Sequence, residues 1–361
     1  MKIIQTSDLH LSSKKPERIK ALENIISKAV EEKADVVLVS GDLFDSDEQA
    51  GVLRPVLRNM LSSLPFVIIA IPGNHDMESY RSDLNFGNSI RIMTGNPFEV
   101  TEYKDTKLIS VPYSNQNFND LVFDLRNEID ESRINILMLH CTLDIPYLGE
   151  EEYGQEERQA YLPVSSRVLG DLGFDYIMSG HFHSRVVENH ISGKTVFIYS
   201  GSPVSVTKKE QGIRRIALLD TGKAKNRRLS FLELDSFYHD RIDIDFYPGR
   251  EDELLKELKD KLGSFIGRDV CIEVRLGGFI SVSEKDIGKN ISSVINDSGL
   301  ERSRLEINEE YRDIESVLED PLYRVFKEKL ENMDNVERDF KDRIDEMVIM
   351  QFSRLKIPDG S

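Results

Sequence analysis

Five of the seven histidines in this 361-residue chain fall within a set of five short blocks between residues 8 and 183. The blocks are Asp8-Leu9-His10, Gly41-Asp42, Gly73-Asn74-His75-Asp76, His140 and Gly180-His181-Phe182-His183. A single Asp-x-His or His-x-His says little, because isolated histidines are common on surfaces and in cores. Together the blocks supply carboxylates that carry charge and bridge, imidazoles that set geometry, and one neutral amide. That is about the donor set two neighbouring divalent cations require. Such a cation pair lowers the pKa of a bound water and neutralises phosphoryl oxygens, so the chemistry indicated is hydrolysis of a phosphoester.

Spacing assigns roles. Asp42, at the end of an apolar run, is placed to bridge the cations. Asp8, His10 and His183 are expected to hold one, and Asn74, His140 and His181 the other. The His181-Phe182-His183 spacing sends its two imidazoles to neighbouring ions. His75 follows Asn74 directly and must point away from it, which leaves it to face the leaving group and donate a proton. Asp45, three residues after Asp42, is expected to hydrogen-bond His75, fixing its tautomer and favouring the imidazolium. Cys141 adjoins His140 and faces the opposite way on a strand, so it reads as core. His190 and His239 lie outside the blocks and read as surface residues.

The elements that must position these residues alternate. Strands are expected at 2–5, 36–39, 66–71, 134–139 and 176–178, each ending at one of the blocks. In α/β sheets the C-terminal strand edge is where ligands bind. Helices fall between them at 16–33 and 52–61. From 186 to 234, strand-like segments split by Ser192-Gly193 and Thr221-Gly222 suggest an antiparallel meander on the second half of a sandwich. A second unit beginning near Asp235 reads as β-α-β-α-β with no ligand-like cluster. From 311 to 355 the pattern is helical. Asp320-Pro321 is a start signal, and Leu322, Val325, Phe326, Leu330 and Met333 follow at helical spacing. A second stripe carries Val336, Phe340, Ile344, Met347 and Val348. The two helices either pack on their own domain or form a partner-docking hairpin.

Composition narrows the class. Charged residues at 31% and apolar ones at 39% fit a soluble globular protein, and the length favours more than one domain. Two cysteines far apart, Cys141 and Cys271, suggest a reducing, cytoplasmic compartment. The first ligand block begins at Asp8, so no leader is expected, and the apolar runs are well short of a membrane span. A net charge of −17 argues against a generally basic nucleic-acid binder. Any phosphate-backbone contact must be local, with Lys208-Lys209, Arg214-Arg215 and Arg227-Arg228 as candidates. There is no Gly-x-x-x-x-Gly-Lys-Ser/Thr loop for ATP.

The five blocks resemble the full signature of the calcineurin-like metallophosphoesterases over about the first 230 residues. A finer resemblance is to the SbcD-type nucleases of DNA double-strand-break repair, relatives of the meiotic recombination eleven nuclease. It rests on Gln5-Thr6-Ser7-Asp8-Leu9-His10-Leu11, Gly41-Asp42-Leu43-Phe44-Asp45, Val111-Pro112-Tyr113, Phe174-Asp175-Tyr176-Ile177 and Tyr199-Ser200-Gly201-Ser202-Pro203. The resemblance implies an α/β fold, a four-layer α-β-β-α sandwich at 1–234, with a small α/β capping domain at 235–309 and a helical tail at 310–361. It implies a manganese-dependent nuclease acting on DNA as a 3′→5′ exonuclease and a single-strand endonuclease. It also implies a homodimer, association with the nucleoid in a prokaryote, and a complex with an SbcC-type coiled-coil ABC ATPase docked partly through the tail. Archaeal and eukaryotic members usually carry histidine where this chain has Asp45; aspartate there resembles the bacterial form. Two other readings stay open: a metallophosphoesterase acting on a phosphoprotein, cyclic nucleotide or small phosphoester, and a non-catalytic scaffold. The complete ligand set speaks against the scaffold, and the long C-terminal extension against a minimal phosphodiesterase.

Overall fold

Continuous aliphatic runs such as Val36-Val37-Leu38-Val39 belong to strands covered on both faces, because alternate side chains serve two different cores. The computed structural model, which describes residues 1–80, 85–114, 116–144, 162–333 and 337–356, bears this out. The chain divides into two compact units, Met1–His239 and Asp240–Ser361.

In the first unit the elements run β1 (Lys2–Thr6), α1 (Pro16–Glu32), β2 (Val36–Ser40), α2 (Asp47–Met60), β3 (Val67–Ile71), β4 (Ile90–Ile92), β5 (Glu99–Tyr103), β6 (Thr106–Ser110), α3 (Val122–Asn127) and β7 (Ile134–His140). They continue through β8 (Thr142–Leu143), β9 (Pro163–Val164), α4 (Ser166–Leu172), β10 (Tyr176–Gly180), β11 (Val187–His190), β12 (Val196–Tyr199), β13 (Arg215–Asp220) and β14 (Leu229–Glu233). Two six-stranded sheets result, ordered β14-β13-β1-β2-β3-β4 and β11-β12-β10-β7-β6-β5. Strands β1 to β4 are mutually parallel, as are β6, β7, β10 and β12.

Burial follows the strand period of two. Ile3, Val36, Leu38, Ile69 and Ile71 meet Ile136, Met138, Tyr176, Met178 and Ile198 in a core between the sheets. Their neighbours Ile4, Val37, Val39 and Ile68 face a helix-side core with Leu22, Ile25, Leu53 and Leu57. Leu137, Leu139 and Ile177 do the same with Leu125, Leu169 and Leu172. The unit is therefore a four-layer α-β-β-α sandwich.

The expected meander at 186–234 is not one. Strand β12 lies in the second sheet, parallel to β10, whereas β13 and β14 belong to the first sheet, with β13 antiparallel to β1. The segment between β12 and β13 carries the chain from one sheet to the other, and it is pinned by buried Arg214 and Glu210 rather than by a hairpin turn.

The second unit contains β15 (Tyr238–Phe246, which begins two residues before it), α5 (Glu251–Gly263), β16 (Val270–Ile280), α6 (Glu284–Asp297), β17 (Leu305–Glu309) and β18 (Arg312–Asp313). Helices α7 (Glu315–Leu318), α8 (Pro321–Glu331) and α9 (Arg338–Lys356) follow. Strand β16 pairs with β17 in parallel along its first half and with β18 along its second. Asp320 caps α8, its carboxylate accepting from the Leu322 amide at 2.9 Å. Tyr323 and Leu330 are the buried residues of that helix, while Leu322, Val325 and Met333 are exposed. Val336 lies outside the described residues. No helix among the described residues is long and apolar enough to cross a membrane.

Candidate metal centre

The parallel strands end together, and their loops are stitched edge to edge. Asp8 N donates to Gly41 O (3.1 Å), His10 N to Asp42 O (3.0 Å) and Leu11 N to Leu43 O (2.9 Å). Of seven non-glycine residues with positive φ among the described residues, four are expected ligands: Asp8 (54°), His10 (45°), Asp42 (50°) and His181 (99°). Left-handed backbone costs an L-residue roughly 1–2 kcal/mol, and such strain concentrates at functional sites. Here it turns each side chain off its strand end towards a common point. Two glycines make room. Gly41 has φ of 92°, and a Cβ on it would strike the His140 ring; a Cβ on Gly73 would strike the Asp42 carboxylate.

The structure brings all seven expected ligands together in two overlapping pairs of contacts. His10 Nε2 lies 3.2 Å from His183 Nε2, and His183 Nε2 lies 3.7 Å from Asp8 Oδ1. On the other side, His140 Nε2 lies 2.9 Å from Asn74 Oδ1 and 3.3 Å from Asp42 Oδ2. The His181 ring stands edge-on to His140 at 5.4 Å. Asp42 Oδ2 is also 3.8 Å from His10 Nε2, so this carboxylate lies between the two groups. Donor atoms fall within 4.8 Å of one another in three sets: Asp8, His10 and His183; His10, Asp42 and His75; Asp8, Asp42 and His140. Asp8 therefore reaches towards both groups, which the expected partition had not included.

Burial polarises the cluster. It raises the Asp8 carboxyl above the ordinary carboxylate range, against the pull of His183 and His140. It pushes Asp42 the same way, but His140 and His10 outweigh it and hold Asp42 far below that range. Burial lowers His10 well below the ordinary imidazole value. It takes His181 down to about 3, with the charge on His140 adding to the effect. His140 goes up, to about 9, because Asp42 and Asp8 overcome burial. Two buried carboxylates thus face the neutral imidazoles of His10 and His181 and recruit positive charge from His140. Divalent cations fit this donor set: they satisfy the carboxylates while the imidazoles coordinate as neutral ligands. Asp8, His10 and His183 would hold one and Asn74, His140 and His181 the other, with Asp42 between.

The His75 ring stands edge-on to His10 at 4.9 Å, and its amide donates to Asp42 Oδ1 at 3.0 Å. Asp45 is held by a cation from the neighbouring helix. Arg18, reaching from α1, donates to Asp45 Oδ1 (2.6 Å) and to the His10 carbonyl (2.7 Å), drawing Asp45 to a half-exposed position. Cys141 is buried in the helix-side core, its thiol pushed up to about 12 by burial. His190 is exposed, whereas His239 is half-buried with its ring 5.0 Å from Phe237.

Several supporting residues escape a reading by spacing. Asp76 accepts from the amides of Gly73 (2.8 Å) and Phe44 (3.1 Å), tying the β3 loop to the β2 loop. Ser202 donates to the Asp8 carbonyl at 2.8 Å. Arg214, a candidate phosphate contact by sequence, is buried, and its guanidinium donates to the carbonyls of Ser202 (2.9 Å), Ser184 (2.9 Å) and His183 (2.5 Å). Arg215 pairs with Glu233 on the surface. Glu210 is buried beside His183 and accepts from the Val206 amide at 2.7 Å. Only the Ser200-Gly201-Ser202-Pro203 motif hinted that this segment returns to the centre.

A four-layer sandwich with these donors on its strand ends defines a metal-dependent phosphoesterase. The chain belongs to the calcineurin-like phosphoesterases, whose family model matches residues 1–185. It is similar to the SbcD component of the SbcCD nuclease of Staphylococcus epidermidis, with 26% identity over 238 residues covering 56% of this chain. The match spans 61% of that relative's length. Among solved structures, one match is "GAP50 the anchor in the inner membrane complex of Plasmodium", with 14% identity and a TM-score of 0.42, covering 64% of this chain and 84% of that one.

Proposed function

We propose that this protein is a manganese-dependent DNA nuclease, a 3′→5′ exonuclease and single-strand endonuclease that serves double-strand-break repair. The observation that carries the reading is the pair of donor groups sharing Asp42 at the strand ends. The similarity to the SbcD component of a nuclease supports DNA as the substrate. In this reading Asp8, His10, Asp42, Asn74, His140, His181 and His183 hold two cations. His75, beside His10 and Asp42, donates a proton to the leaving oxygen, and Asp45, held by Arg18, supports it. Residues 235–309 form a small α/β domain of their own, and the tail at 310–361 docks an SbcC-type coiled-coil ATPase, which supplies the ATP chemistry. The working form is a homodimer.

The test is direct. The purified chain, stripped with chelator and reloaded with Mn²⁺, is offered end-labelled single-stranded and duplex DNA alongside a p-nitrophenyl phosphodiester. Progressive shortening from 3′ ends together with internal cuts in single strands is expected. Hydrolysis of the small ester with DNA left intact would replace the nuclease by a small-substrate phosphoesterase.

A further inference from the structure

Beside the metal-centre loops lies a pocket of about 230 Å³ that no expected ligand lines. Pro72, Met77 and Tyr80, from the stretch that carries Asn74 and His75, form one wall; Asn96, Pro97 and Tyr113 form the other. The walls are joined to the centre. Tyr113 N donates to Pro72 O at 3.1 Å, two residues before Asn74. The Tyr113 ring stands edge-on to His140, 6.4 Å between centroids. A group held in the pocket therefore adjoins, through Tyr113 and Pro72, the loops that carry Asn74 and His140.

The lining suits one flat, weakly polar ring. Tyr80 is fixed in place by its hydroxyl, which donates to Asp76 at 2.5 Å, and by its ring, 6.0 Å from Phe44. Met77 is partly exposed and can settle on a planar surface. The amide of Asn96 supplies an edge for hydrogen bonding. The volume is smaller than the roughly 300 Å³ at which pockets for drug-sized ligands begin. Charge points the same way. A chain of net charge −17 has little general attraction for a nucleic-acid backbone, which gives contacts that are not ionic more weight.

We propose that this pocket takes a single unstacked nucleobase, next to the phosphodiester held at the metal centre. The inference rests on the nuclease reading above. Stacking of one base on protein aromatics is worth roughly 5- to 150-fold in binding. The base must leave any duplex to enter, so unpaired nucleotides are favoured over paired ones.

The experiment uses the full chain loaded with Mn²⁺ and a series of single-stranded oligonucleotides, each with one abasic position walked past a fixed cleavage site. One abasic position beside the cleaved bond is expected to raise KM by roughly 5- to 150-fold, with others near parent level. Tyr113→Leu and, independently, Met77→Ala at a partly exposed position should shrink that difference towards unity, so a folding defect in the first leaves the second to decide. If the parent cuts DNA and no abasic position matters, the pocket does not read a base although the nuclease reading stands. If no oligonucleotide is cut, the nuclease reading itself fails and this inference with it.

Discussion

Glu210 Oε1 lies 3.5 Å from Nδ1 of His183, on the side of the ring opposite the nitrogen that faces His10. A carboxylate there holds the ring proton on Nδ1 and leaves Nε2 with its lone pair directed into the centre. Such partners of metal-bound histidines typically contribute 10- to 100-fold in metal affinity. Glu210→Gln is therefore expected to weaken Mn²⁺ binding by about 10- to 100-fold. Calorimetric titration of the chelated protein reads this directly, and an unchanged isotherm would leave Glu210 only a structural role.

Asp42 belongs to two of the three donor sets, with His10 and His75 in one and Asp8 and His140 in the other. Asp42→Asn removes the charge that both groups share. The expected outcome is that the parent binds two Mn²⁺ per chain and the variant fewer than two at the same free metal. Elemental analysis after equilibrium dialysis gives the ratio. A parent saturating at a single ion with full activity would end the two-cation assignment.

The His75 ring stands edge-on to His10, and its backbone amide donates to Asp42 Oδ1. His75→Ala should keep both metals and lose about 10²- to 10⁴-fold in phosphodiester cleavage, the usual contribution of a proton donor. Metal content and single-turnover cleavage are measured on the same sample. Loss of a metal would move His75 into the ligand set.

Much of this centre was legible in the sequence because metal chemistry allows few donor types, and each donor block stood at the end of an apolar run. What was not legible depends on contacts between distant segments. The Arg18–Asp45 pair joins α1 to the β2 loop, and nothing local to either residue announces it. Arg214 and Arg215 are adjacent and chemically alike, yet one is buried against four backbone carbonyls and the other paired on the surface; only the sheet crossing decides between them. Strands β4 to β6 were missed because they are short and, in β5, half-exposed. Helix α2, expected at 52–61, starts earlier, at Asp47, with the acidic Asp47 and Glu48 in its first turn.

Arg214 offers a stability test separate from catalysis. It is buried, and its guanidinium satisfies the carbonyls of Ser202, Ser184 and His183 while facing Glu210. Arg214→Met removes these donors and leaves the Glu210 charge without its buried counterpart. The expected loss is about 3–5 kcal/mol, the range for breaking one side of a buried charge pair. Urea unfolding of the metal-free protein measures it. A loss under about 1 kcal/mol would mean that water replaces the guanidinium.

The last prediction concerns the C-terminal helices. In α9, Phe340 and Met347 are 57% and 65% exposed, seven residues apart and so on one face. In α8, Leu322 and Val325 are exposed as well, as is Met333 just beyond it, while Tyr323 and Lys327 engage Asp345 of α9. The two helices are thus joined through Tyr323, Lys327 and Asp345, and an apolar set is left outside. If that set docks the coiled-coil ATPase, Phe340→Asp combined with Met347→Asp should abolish co-purification and any ATP stimulation of cleavage. Basal cleavage of single-stranded DNA should persist. Because both side chains are exposed, stability should shift by no more than about 0.5 kcal/mol per site. A marked fall in Tm would show instead that the stripe packs within its own chain. Undiminished ATPase binding by a stable variant would put the main interface elsewhere.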